Sequence, residues 1–237
     1  MVAAMEWMID RNRREATLAV GGTWLAFITA LCLALPQPLN LIYVLIGAIG
    51  GLILIVIGFG AVSRYRSISA HPFSQRFKLA ALALLSGALL GAVLLSVLSF
   101  LVQIEPALRA RFAGRLAEPL WRPWALAFES SILEEVTFRL FAMSLLVWLA
   151  ARLLRRPQAP FVVGLVGSSL LFGLAHLPAW AAASHAGTLL FALVILLNGL
   201  GGLLFGWVYW RWGLPYAILS HFAGDVVVQG LGPRLLA

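Results

Sequence analysis

Seven runs of about twenty mostly apolar residues, at 16–35, 40–62, 79–104, 124–150, 161–178, 187–210 and 214–232, constrain this chain more than any other feature. About twenty helical residues cross the roughly 30 Å of a bilayer's hydrocarbon core. In lipid every backbone polar group must be bonded internally, so such runs fold as helices that bundle together. The chain is 62% hydrophobic and 11% charged, more apolar surface than a water-soluble core of 237 residues can hide. The expected fold is therefore all-α, a polytopic transmembrane helical bundle of about seven spans. The connections are short, so residues 1–237 are expected to form a single integral membrane domain.

The net charge of +8 does not point to nucleic acid, because the basic residues sit in short clusters between apolar runs. On alternate loops, eleven Lys or Arg (Arg11, Arg13, Arg14, Arg64, Arg66, Arg76, Lys78, Arg152, Arg155, Arg156, Arg211) oppose five (Arg109, Arg111, Arg115, Arg122, Arg234). By the positive-inside rule the N-terminus is cytoplasmic and, with seven spans, the C-terminus lies outside. "RNRR" at 11–14 followed by an apolar run resembles a signal peptide, but the run ends "LALPQP" without an A-x-A site and reads as a retained first helix. The lone Cys32 allows neither an intrachain disulfide nor a cysteine metal site. Small-residue pairs, Gly47 and Gly51, Gly87 and Gly91, and Gly202 and Gly206, have the spacing that lets helix backbones approach in lipid.

Against this background "ESSILEEVTFRLFAM" at 129–143 is anomalous. A single charged group at mid-membrane costs roughly 2.5 to 3.5 kcal/mol on insertion scales, and such groups face a bundle interior where they usually work. Of nine acidic residues, Glu129, Glu134, Glu135 and Asp225 fall inside apolar runs, as do His176 and His221. Glu135 and Arg139 are four apart and share a helix face, so they can neutralise each other. Glu134 projects about 100° away and lacks that partner. A desolvated carboxylate suits a general base, so Glu134 is expected to act while Glu135 and Arg139 support it. Glu129, near the outer end of its run, reads as interfacial. Phe172 and His176 share one face of their helix, and His221 and Asp225, again four apart, share another. Asp225 is placed to hold the tautomer or charge of His221. Convergence of the three clusters in one cavity is the expectation.

"EEVTFR" at 134–139, "FGLAH" at 172–176 and "HFAGD" at 221–225 resemble, in order and placement, the motifs of the CAAX-protease and bacteriocin-processing family of intramembrane glutamic endopeptidases, which includes Rce1-like prenyl-protein proteases. The resemblance covers about 120–232. It implies that Glu134 and His176 activate a water for attack on a peptide carbonyl, that His221 and Asp225 form the oxyanion site, and that Glu135 and Arg139 support them. It further implies a membrane-anchored protein or peptide substrate, no cofactor and no metal, and a bacterial inner (plasma) membrane location. Family members usually carry Asn at the position of Asp225. An ionised Asp cannot donate to an oxyanion, so either Asp225 is protonated or it keeps His221 cationic. If loop charges set the topology, the site opens outward, toward exported proteins with C-terminal membrane tails, as in the sorting members of the family.

Other readings compete. A zinc peptidase has possible ligands in Glu134, His176, His221 and Asp225, but H-E-x-x-H is absent. A serine protease would need Ser169 in "GSSL", and an aspartyl protease would need G-x-G-D where the chain has "FAGD". A proton-coupled transporter would show internal repeats, which are not evident. A non-proteolytic role in bacteriocin self-immunity stays open within the family.

Overall fold

The computed structural model describes residues 2–34, 40–65, 71–181 and 188–237. Among the described residues there are eight helices, which we number α1 Val2–Ala34, α2 Leu41–Val62, α3 Phe73–Ile104, α4 Pro106–Gly114, α5 Arg122–Leu153, α6 Ala159–Ala175, α7 Thr188–Trp212 and α8 over 214–236. A further single turn spans Pro178–Ala181, and no described residue is in a strand. Of the cations counted for orientation, Arg66 and the side chains of Arg11, Arg13 and Arg14 lie outside the described residues.

Each of the seven apolar runs falls on a helix, and α4 is an additional short one between α3 and α5. Five helices, Glu15–Ala34 within α1, α2, α3, α5 and α7, are long and apolar enough to cross a membrane by length and composition. Two runs differ from that standard for separate reasons. Helix α6 is apolar but only 17 residues long. Helix α8 is long enough, but it carries His221, Asp225, Gln229 and Arg234, which lower its hydropathy. Packing of α8 among α3, α5 and α7 makes His221, Asp225 and Gln229 tolerable, while Arg234 is exposed near the end of the helix.

Lipid-facing positions are apolar, as with Leu41, Ile42, Leu45 and Ile49 on α2 and Leu85, Leu89, Val93 and Phe100 on α3. Since lipid is as apolar as leucine, contact between helices rests on close packing. Helix α3 lies against α8 through Gly87 and Gly91: a Cβ at Gly87 would run into the Ser220 carbonyl, and one at Gly91 into Gly224 and Val227. Across the same seam Ser86 Oγ and Ser220 Oγ are 3.2 Å apart. Gly202 of α7 meets Ser169 of α6 in the same way. Behind these contacts Ile55, Val136, Leu140, Met143, Val208 and Ala217 form the buried core.

Helices α7 and α8 are joined by Gly213 alone, at φ 108°, a backbone conformation that side chains with a Cβ rarely adopt. The helix ends sort into two sets. Tyr65, Arg155 and Trp210 line one small cavity and His71 Nε2 donates to the Trp212 carbonyl at 3.0 Å, which gathers the ends of α2, α3, α5, α6 and α7. At the other end, Gly232 of α8 packs on Phe112 of α4, and Arg111 donates to the Ala179 carbonyl beyond α6.

Helices α5 and α8 both widen to the π form, at Glu135–Met143 and Val226–Leu231. Each widening begins one residue after a carboxylate of the polar clusters, Glu134 and Asp225. The side chains of Thr137 and Ser144 accommodate the first of them, donating to the carbonyls of Leu133 (2.7 Å) and Arg139 (3.2 Å). Interruptions of this kind frequently mark functional sites.

Candidate active site

The middle of α5, the end of α6 and the middle of α8 supply one polar cluster on the wall of a cavity of about 420 Å³. The cavity extends from that wall between α3 and α7, where Leu90, Leu94, Leu101 and Leu193 line it, to Arg111 and Arg115 at the α4 end. It thus belongs to the half of the bundle that contains α4 and the chain's C-terminal turn.

Glu134 is the last residue before the π segment, and its side chain is 27% exposed, toward the cavity. Its Oε1 lies 3.9 Å from His176 Nε2 and its Oε2 3.6 Å from His221 Nε2. Both separations exceed a direct hydrogen bond. His176, at the end of α6, donates from Nδ1 to the Phe172 carbonyl at 2.8 Å, with its ring edge-on to Phe172 at 4.8 Å. A carbonyl oxygen only accepts, so Nδ1 carries the proton, and in the neutral ring Nε2 presents a lone pair toward Glu134.

Glu135 is fully buried and turned away from the cavity. Its Oε1 accepts from His221 Nδ1 at 2.9 Å, so this carboxylate, rather than Asp225, is the one directly hydrogen-bonded to the imidazole. Asp225 Oδ2 lies 3.7 Å from the other nitrogen, Nε2. The departure from the sequence reading has a plain cause: spacing within α8 reveals Asp225, while the Glu135 contact depends on how α5 crosses α8. His221 is also stacked on Phe205, with centroids 4.5 Å apart and planes at 15°, which fixes the ring plane.

Arg139 is fully buried. Its Nε is 3.4 Å from Glu135 Oε2, as the i, i+4 spacing predicts. Neither atom has a hydrogen-bond partner among the described residues, so the attraction is coulombic without hydrogen-bond alignment. The guanidinium also donates from Nη2 to the Gly202 carbonyl at 3.4 Å and lies over the Phe172 ring at 4.5 Å. All six residues singled out from the sequence are therefore neighbours. Glu129 lines the cavity as well, nearer its rim.

Sequence reasoning passed over three residues that the structure adds. Ser130 Oγ and Gln229 Nε2 both donate to Asp225 Oδ2, at 2.7 and 2.8 Å. Arg115 donates from both Nη1 and Nη2 to Gln229 Oε1, each at 3.3 Å. The signal for Gln229 was present in "HFAGDVVVQ", where 221, 225 and 229 recur every fourth residue. No group of three or more His, Cys, Asp or Glu among the described residues is arranged to hold a metal ion.

No curated protein and no solved structure matches the chain. Residues 116–227 match the family described as type II CAAX prenyl endopeptidase Rce1-like, a segment of 112 of the 237 residues that contains Glu134, Glu135, Arg139, His176, His221 and Asp225. The chain is an integral membrane helical bundle whose residues 116–227 are similar to the Rce1-like family of type II CAAX prenyl endopeptidases.

Proposed function

We propose that this protein is a glutamic-type intramembrane endopeptidase that cleaves a peptide bond in a membrane-anchored protein or peptide. The observation that carries this reading is Glu134, a cavity-facing carboxylate flanked by two imidazoles, with its two oxygens 3.9 Å from His176 and 3.6 Å from His221. Separations of this size suit a bridging water. Glu134 would take a proton from that water, assisted by the lone pair of His176 Nε2, as the oxygen attacks the scissile carbonyl. His221, with its Nδ1 proton committed to Glu135, can donate to the resulting oxyanion only as an imidazolium. The carboxylates of Glu134, Glu135 and Asp225 around it favour that form. Asp225 then serves as counter-charge to His221, the second of the two roles open to an Asp at this position. The leucine-lined part of the cavity suits an apolar segment or lipid chain next to the scissile bond.

The test is cleavage by the purified full-length chain in liposomes. Two substrates are offered: a farnesylated peptide ending in a CAAX sequence and an unlipidated peptide with a C-terminal membrane tail. Cutting of one or both, unchanged in EDTA, is the expected result. Loss of activity in EDTA with recovery on added zinc would replace the mechanism with a metal-dependent one, and no cutting of either substrate would favour the non-proteolytic, immunity-type role.

The cavity lies at the helix ends that carry five of the sixteen loop-side Lys and Arg counted from the sequence, Arg139 being the seventeenth. We infer that it opens to the exoplasmic side of a bacterial inner membrane, with the N-terminus cytoplasmic. In a variant with Cys32→Ser and one cysteine introduced within residues 182–187, between α6 and α7 in the sequence, a membrane-impermeant maleimide should label intact cells or spheroplasts. Labelling only after lysis would reverse the orientation and return the site to cytosolic substrates.

A further inference from the structure

Asp225 is held by more than its own helix. One oxygen, Oδ2, accepts from Ser130 on α5 and from Gln229 on α8, and the same oxygen faces His221 Nε2 at 3.7 Å. Because Oδ2 accepts both of these hydrogen bonds, it is fixed as an acceptor, and any proton on the carboxyl would have to sit on Oδ1. The Gln229 amide is in turn fixed by Arg115, whose two terminal nitrogens both point at Oε1. A guanidinium can only donate, so the Gln229 oxygen must face Arg115 and its NH2 must face Asp225. Arg115 lies outside the spans, beside Glu118 at 3.6 Å. A continuous series of polar contacts thus runs from the α4 end of the bundle to the imidazole: Arg115 and Gln229 each donate to the next residue, and Asp225 lies 3.7 Å from His221. The family match covers 116–227, so neither Arg115 nor Gln229 falls within it.

We propose that Gln229, locked in orientation by Arg115, is a positioning residue that holds the Asp225 side chain, through Oδ2, beside His221. This rests on the proteolytic reading above for its catalytic consequence, but not for its physical content. Where an Asn would need no such restraint to stay neutral and oriented, an Asp in an apolar site needs donors to keep its charge on the His221 side. Ser130 and Gln229 supply two. Without them the side chain is free to swing away, and the imidazolium loses one of its counter-charges.

The experiment uses the full chain in lipid nanodiscs with 15N-labelled histidine, and follows the ring nitrogens of His221 through a pH titration. His221→Ala identifies its signals among those of the four histidines. The charged and titratable groups facing His221 are Glu134 and Glu135 from α5 and Asp225 on its own helix. Gln229→Met keeps the side chain's length but removes both amide functions. It should lower the His221 titration midpoint by about one pH unit, because an Asp225 without this donor turns away from His221 and stops favouring the imidazolium. Cleavage should show kcat reduced roughly tenfold, the scale of one charge-assisted hydrogen bond, with KM unchanged. Ser130→Ala should act in the same direction.

An unmoved His221 midpoint in Gln229→Met overturns the proposal, whether or not kcat falls, since a fall without a shift would mark a merely structural role. If Gln229→Met does not fold, Arg115→Met leaves the buried residues intact and frees the amide to turn; the same shift is expected and its absence is equally decisive. Because the titration needs no substrate, it is independent of the proteolytic reading. A shifted His221 alongside full cleavage by Glu134→Gln would sink that reading and leave the Asp225 restraint standing.

Discussion

Glu134→Gln will fold and melt as the wild type does but cleave its substrate about 10²- to 10⁴-fold more slowly, the range associated with losing a positioned general base. The substitution keeps the size and shape of the side chain and changes only its ability to take a proton. Glu134 is 27% exposed on a cavity wall and no described hydrogen bond of the fold depends on it, so little stability is at stake. Glu135→Gln is the control that separates adjacency from role. It lies one residue away but is fully buried, bonded to His221 and paired with Arg139. Its loss should lower both stability and kcat. The measurement is a pair of melting curves and a pair of single-turnover cleavage rates for the two variants. Wild-type cleavage by Glu134→Gln would remove the base from the mechanism, and equal destabilisation by both variants would show that Glu134 is a structural residue as well.

The frame of this molecule was readable because a run of twenty apolar residues has few physical options. All seven runs became helices, and the Gly87 and Gly91 spacing marked the seam with α8. The members of the polar cluster were readable because ionisable groups in lipid-spanning helices are rare enough to stand out. Its wiring was less so. Pairing along a helix is visible in spacing, hence Glu135 with Arg139 and His221 with Asp225. Pairing between helices depends on crossing geometry and on the π segments of α5 and α8, neither of which leaves a trace in an apolar pattern. The bond from His221 to Glu135 is the clearest case, since 86 positions separate the two. Arg115 shows the opposite failure. As a loop cation it counted only toward orientation, whereas in the fold its guanidinium orients a side chain that reaches the site.

Arg139→Met will be the most destabilising single change in the site, with an expected loss of about 3 to 5 kcal/mol. The guanidinium is fully buried 3.4 Å from Glu135, also fully buried, so removing it strands a carboxylate whose one remaining partner is His221. Methionine fills much of the same space between Phe172 and Phe205 without replacing the charge. For a chain of this size such a loss corresponds to a fall in melting temperature of order 10 °C. The informative variant is the double one, Glu135→Leu with Arg139→Met, which removes both buried charges. Replacing a buried ion pair by apolar residues of similar volume is often neutral or better, so most of the melting temperature should return. Activity should not return, because His221 Nδ1 then has no acceptor, and the ring is neither held in its tautomer nor favoured as an imidazolium. Recovery of stability without catalysis would establish that Glu135 is retained for what it does to His221. Recovery of both would mean that the pair only fastens α5 in place. A double variant as unstable as Arg139→Met alone would point instead to the Gly202 carbonyl and the Phe172 ring as the contacts through which Arg139 holds α6 and α7 together.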